Sequence, residues 1–182
     1  MNQLAKELKT SLPSLIVAQK DVQPFFSFIR DTKYITVPEN KVSHICSFFL
    51  PVHLPSSSLY LTHHRKAKDW IPPGGHVETG EHPLQTARRE FKEELDITLT
   101  NQKIELFALS IKKINTSYQT CKTHYDFWYA VYCGEKFPFR YDEREFFSAS
   151  WFSYNDALKQ MKMKEYTTIL SQFIQRLKLP DR

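Results

Sequence analysis

Residues 70–97 read WIPPGGHVETGEHPLQTARREFKEELDI. Two prolines and the pair Gly74-Gly75 make the opening a loop. From Pro83 onward the pattern turns helical. Successive helical residues rotate by ~100°, so Leu84, Ala87, Phe91 and Leu95 fall on one stripe suited to a core. Glu90, Glu93 and Glu94 share the adjoining arc, with Glu90 and Glu94 one turn apart. Carboxylates this close repel one another, and a cation held between them removes the repulsion. Arg89 lies one turn before Glu93 and can pair with it, or with Glu81 across the loop. Pro83 suits a first turn, where no amide donor is needed. Thr79 or Glu81 is expected to cap the helix.

A solvated face is the ordinary explanation of an acidic helix. Here the glycine pair, Glu81, Arg89 and the spaced glutamates all coincide, which that explanation does not require. Oxygen-only ligands suit a hard divalent ion, Mg2+ first and Mn2+ close behind. Without side chains, Gly74 and Gly75 let the backbone approach a metal or a phosphate closely.

These residues carry a family resemblance. The pattern G-x5-E-x7-R-E-U-x-E-E-x-G-U, with U bulky and apolar, resembles the signature of Nudix hydrolases. The chain supplies Gly75, Glu81, Arg89-Glu90, Phe91, Glu93-Glu94 and Ile97. Asp96 stands where the family has glycine. That position follows a helix end, where left-handed backbone is common, and Asp tolerates it better than most residues. The resemblance implies an α/β domain of the Nudix fold, a mixed β-sheet between α-helices. It also implies that Glu90, Glu93, Glu94 and the Gly74 carbonyl ligate the metal. Arg89 then orients the acidic groups through Glu81, Gly75 shapes the loop, and Glu90 is a candidate to act on water. A glutamate about six residues before a Trp faces the metals in many relatives; Glu145 occupies that place before Trp151, with Glu143 as the substitute.

The chain has 182 residues, enough for one domain with an extension. At 41% hydrophobic and 14% aromatic it can build a packed core, which argues against disorder. A net charge of +5 favours anionic partners. The excess is spread out, so a small polyphosphate explains it as well as nucleic acid does. Cys46, Cys121 and Cys133 show no metal-ligand spacing and read as buried thiols in a reducing cytoplasm. The polar N-terminus does not read as a signal peptide, and no run is long enough for a membrane helix.

Residues 1–40 read as an N-terminal helical extension, with Leu4, Leu8 and Leu12 at one-turn spacing and Pro24 starting a second short helix. Packing against the domain is its expected role; a substrate lid or a homodimer contact are the alternatives. The resemblance implies that residues 41–182 form the Nudix domain. Strands are expected at 41–50, 59–63, 103–113, 124–133 and 148–152, the first two as a hairpin. Helices are expected at 156–159 and 167–177. His63 and His64 lead into a basic loop, either solvated or phosphate-facing. His124 and Asp126 lie on one strand face, opposite Tyr125. They can bind substrate or a second metal, or form a structural hydrogen-bonded pair. Trp70, His76, His124 and Asp126 are the candidate substrate-binding residues. Phe127 and Tyr129 can stack on a base, though core is their commoner place.

The function the resemblance implies is metal-dependent hydrolysis of a pyrophosphate linkage in a nucleoside di- or triphosphate derivative. The products would be a nucleoside monophosphate plus phosphorylated X or pyrophosphate. A Nudix-fold nucleotide-binding module without turnover is the alternative. A prenyl diphosphate isomerase ranks last, because Cys46 and Cys121 lack the expected context. The expected partner is a small nucleotide; the sequence shows no dedicated nucleic-acid-binding domain.

Overall fold

A computed structural model describes residues 3–115, 120–137 and 139–179. Stretches rich in branched and aromatic residues become strands, and among the described residues seven strands join one mixed sheet. Its centre is β1 (Ser43–His53), whose side chains are nearly all buried. Along its whole length β1 pairs in parallel with β6 (Thr123–Tyr132). Its other edge is shared. The first half pairs with β4 (Gly74–His76) and the end with β2 (Ser58–His64). The path runs from β3 (Asp69–Ile71) through β2, β1 and β6 to β5 (Ile104–Lys113), and β7 (Phe146–Ser153) joins β2.

A period of two splits the apolar side chains between two layers. Phe127, Tyr129 and Val131 of β6 point into one core; Trp128 and Ala130 point into the other. The first core is covered by α1 (Gln3–Ser11), α2 (Gln19–Asp31) and α3 (Pro83–Leu95). Phe91 of α3 meets Phe49 of β1 at 4.8 Å between ring centres, and Phe25 of α2 meets Phe127 at 5.3 Å. The second core is covered by α4 (Tyr154–Gln160) and α5 (Lys164–Lys178), where Phe173 stacks on Phe107 at 3.9 Å. The chain therefore has the α/β fold expected of it, a mixed sheet between helices, with N-terminal helices present. The helices of the first forty residues add Ala5, Leu8, Phe25 and Ile29 to the first core. Ile16 bonds the backbone of edge strand β5 on both sides.

Three local expectations need correction. Pro24 does not start α2; it lies inside that helix, which begins at Gln19. The cap of α3 is neither Thr79 nor Glu81 but His82. Its Nδ1 accepts from the Leu84 amide (3.2 Å), and Gln85 Oε1 accepts from the His82 amide (2.8 Å). The helix starts too late for Thr79 to reach, and Glu81 is held by Arg89. Residues 69–76, read as a loop, contain two three-residue strands. Strands this short show no alternation; their form comes from pairing with β1 and β2.

Candidate functional site

Pairing with β1 forces β4 into a conformation only glycine accepts. Gly74 has φ +147°, and a Cβ there would lie 2.2 Å from the Ser47 carbonyl oxygen. A Cβ on Gly75 would lie 2.1 Å from Glu90 Oε1. The glycine pair thus lets α3 bring a carboxylate against the bare strand backbone.

Arg89 organises the acidic groups. Its Nε donates to Glu81 Oε1 (2.8 Å) and one terminal nitrogen to Glu81 Oε2 (3.1 Å). The other terminal nitrogen donates to Glu90 Oε1 (2.8 Å) and Glu93 Oε2 (3.0 Å). The carbonyl of His76 accepts as well (3.2 Å), which ties the cluster to β4. Glu81 also accepts from Thr86 Oγ1 (2.7 Å). The hydrogen bonds from Arg89, above all, hold the Glu81 carboxyl down at about 2.

The three helix carboxylates differ in exposure. The Glu93 side chain is 58% exposed, that of Glu90 13%, and Glu94 as a residue only 4%. Burial raises the Glu90 carboxyl, against the pull of Arg89. Burial raises Glu94 further, and the charges of Glu90 and Glu145 add to the effect. One oxygen of Glu94, Oε2, is buried with no hydrogen-bond partner. A buried carboxylate oxygen left bare is costly unless something cationic completes it. The oxygen-only donor set and this orphaned atom fit a hard divalent ion.

Glu145 sits on an exposed turn before β7, held by its amide to the Asp142 carbonyl (3.1 Å). The Asp142 amide in turn donates to the carbonyl of Glu94 (3.0 Å), which fastens that turn to the end of α3. Arg65 of the basic loop donates through Nε to the Glu143 carbonyl (2.8 Å). Asp96 adopts the left-handed conformation (φ 55°) anticipated for the glycine position and pairs with Lys92 at 2.5 Å.

The candidate substrate residues separate. Trp70 is half-buried, stacked on His63 at 5.3 Å and edge-on to Phe152 at 4.8 Å. Phe127 and Tyr129 are core, so they are not free to stack on a base. His124 and Asp126 share a strand face, as expected, but enter different neighbourhoods. Asp126 is fully buried and accepts from Ser110 Oγ (2.9 Å) and Tyr166 Oη (3.1 Å). Burial pushes its carboxyl up to about 7. His124 instead joins His76 and His44 in a ring cluster, with centroids 4.7–5.2 Å apart. Burial, then the neighbouring imidazoles, pushes His124 down to about 3. Cys46 belongs to this group, because His44, Cys46, His76 and His124 present ligand atoms all within 4.8 Å of one another. The cysteines show no metal-ligand spacing along the sequence, yet Cys46 has histidine neighbours in space. Strand register, not sequence spacing, assembles the cluster.

With this geometry in view, comparison with known proteins is decisive. The family model described as NUDIX domain matches residues 47–175. The chain belongs to the Nudix family. None of the curated proteins compared with it matches. This Nudix chain is similar in structure to the E. coli dihydroneopterin triphosphate pyrophosphohydrolase. The TM-score is 0.65 at 16% identity, covering 79% of this chain and 99% of that one. It is similar to a C. elegans Ap4A hydrolase in a binary complex, with TM-score 0.58 at 21% identity, over 72% and 97% of the two chains. It is also similar to the MutT protein of Bacillus halodurans, with TM-score 0.58 at 20% identity, over 71% and 81%. At these identities the likeness concerns the fold.

Proposed function

We propose that this Nudix enzyme hydrolyses a pyrophosphate linkage in a nucleoside di- or triphosphate derivative, with Mg2+ or Mn2+ as cofactor. The products are a nucleoside monophosphate and either phosphorylated X or pyrophosphate. The observation that carries the proposal is the buried, partnerless Oε2 of Glu94 beside Glu90, on a helix facing the Gly74-Gly75 backbone. Two of the similar structures are named for dihydroneopterin triphosphate and for Ap4A, which supports a phosphorylated substrate. The net charge of +5 suits such an anion.

Glu90, Glu93 and Glu94 would hold the metal, with the Gly74 carbonyl and with Glu145, whose charge reaches Glu90 and Glu94. When bound, such an ion neutralises phosphate charge and lowers the pKa of a coordinated water. The remaining work falls to the chain. Arg89 fixes the carboxylates from behind; its fork is fully engaged, so it is a positioning residue and not a phosphate ligand. Glu81 holds Arg89 in register. Gly74 lets β4 pack against the β1 backbone, and Gly75 leaves room for the Glu90 carboxylate against β4. Glu90, raised by burial yet held by Arg89, is placed to take a proton from the attacking water.

Residues 1–40 are an extension packed on residues 41–182, the catalytic domain. Its cysteines, all free, suit a cytoplasmic setting. Among the described residues no helix is long and apolar enough to cross a membrane. The test is a panel of nucleoside diphosphate derivatives and triphosphates, with products identified, with and without EDTA. Hydrolysis that EDTA abolishes and Mg2+ restores supports the proposal. Nucleotide binding with no turnover at any divalent ion would favour a binding module instead.

A further inference from the structure

The sheet carries a second collection of ligand atoms, which the glutamate site does not use. The β1–β4 register sets Cys46 opposite His76, and the β1–β6 register sets His44 opposite His124. Residues 44 and 46 lie two apart on one strand and so share a face. Four side chains from three strands therefore converge on one side of the sheet. Gly75, one residue before His76, faces the other way, toward Glu90.

The tautomer of His44 is set by its surroundings. Its Nδ1 lies 2.8 Å from the Asn40 carbonyl, which only accepts, so Nδ1 carries the proton and Nε2 keeps its lone pair. A backbone carbonyl holding the far ring nitrogen is the usual support of a metal-binding histidine. The Cys121 sulfur lies 3.4 Å from that Nε2 and 2.7 Å from Nε2 of His124, so both nitrogens look into one small space. Asp126 stands directly opposite Cys46 across the strands, and its Oδ1 is buried without a partner.

We infer that His44, Cys46, His76 and His124 form a binding site for a borderline-soft divalent cation of the zinc class, distinct from the glutamate site. Imidazole and thiolate ligands select against Mg2+ and for zinc-class ions. Bond lengths of about 2.0–2.3 Å place tetrahedral ligand atoms roughly 3.3–3.8 Å apart. Ligand atoms within 4.8 Å of one another need to close by only about an ångström. Four protein ligands complete a tetrahedron, so the site is structural. Binding releases the Cys46 thiol proton to solvent and involves no change of oxidation state. Its consequence is mechanical: the ion ties β4, which carries the glycine pair, to both β1 and β6.

The test uses the full-length chain stripped with chelator and titrated with Co2+ alone, then Zn2+ alone. We expect a near-ultraviolet thiolate-to-cobalt band equivalent to one thiolate-bound Co2+ per chain, whatever Co2+ the glutamates also take up, displacement of that band by Zn2+, and a higher Tm on adding Zn2+. Cys46→Ser removes the band. His76→Gln, at an exposed position that leaves the core intact, lowers affinity by at least ~10-fold, the loss that even outer-sphere partners produce. Cys121→Ser and Glu94→Gln keep the band. A cobalt complex without the band, a band that survives Cys46→Ser or follows Cys121, or binding lost in Glu94→Gln but not in His76→Gln overturns the inference.

Discussion

The chain carries two clusters of ionisable groups, on opposite sides of the short strand β4. On the α3 side, Glu90, Glu93 and Glu94 supply oxygen, and one arginine aligns the first two. On the other, His44, His76, His124 and Cys46 supply nitrogen and sulfur and are aligned by strand register. Both hold groups whose burial disfavours charge, with carboxyls raised in one and imidazoles lowered in the other. The contrast teaches that burial alone does not choose the ligand. The chemistry of the donors does, so two cations of different hardness can sit a strand apart without competing.

The largest effect should come from breaking the oxygen side. Glu94→Gln keeps the shape and removes the charge at the atom with no partner. Turnover should fall by ~10²-fold or more, by analogy with the loss of a charge-stabilising group. The metal-free protein should melt at a higher temperature, because a buried carboxylate is gone. Steady-state assay and thermal denaturation check the two halves.

Arg89→Lys sharpens the comparison by removing the fork and leaving the charge. An ammonium cannot bridge Glu81, Glu90 and Glu93 together. Stability should drop by about 1.5–3 kcal/mol, the scale of one hydrogen bond to a charged group. Urea unfolding measures it, and kcat should fall with it.

The pH dependence of the metal-free protein divides within the site. Glu81 lies at about 2, below its ordinary 4.5, so its stabilisation is complete above 4.5 and fades as pH falls toward 2. Glu94 has the opposite sign. Its folded carboxyl is raised, so the fold loses stability as pH rises from 4.5 through that raised value. Denaturation followed from acid to neutral pH should show Glu81→Gln losing the acid limb and Glu94→Gln losing the alkaline decline.

The smallest effect is expected at Asp96→Gly. Glycine relieves a left-handed backbone but forfeits the exposed Lys92 pair. The gains and losses are each about 1 kcal/mol or less, so Tm should move by only a few degrees.

The same contrast explains how much the sequence disclosed. Arg89 and the three helix glutamates lie within six residues, and a 3.6-residue period places them side by side on α3, with Glu81 only eight residues before Arg89 across the loop. The fold class and the principal strands were legible for the same reason, since periods of two and 3.6 are local. The histidine cluster spans residues 44 to 124 and exists only once β1 is known to lie between β4 and β6. No spacing within the chain signals that. The hidden strands β3 and β4 were equally illegible, because three residues hold no period. His82 was overlooked as a cap because histidine is an uncommon choice there, and only the bonds it makes reveal it.

Mn2+ binding followed by electron paramagnetic resonance tests the central claim most directly, with wild type compared against Glu94→Gln and Glu90→Gln. The account predicts tight Mn2+ binding to the wild-type chain, displaced by Mg2+ and lost in both variants. Equal binding by all three proteins, or none by wild type in the presence of a nucleotide, would contradict it.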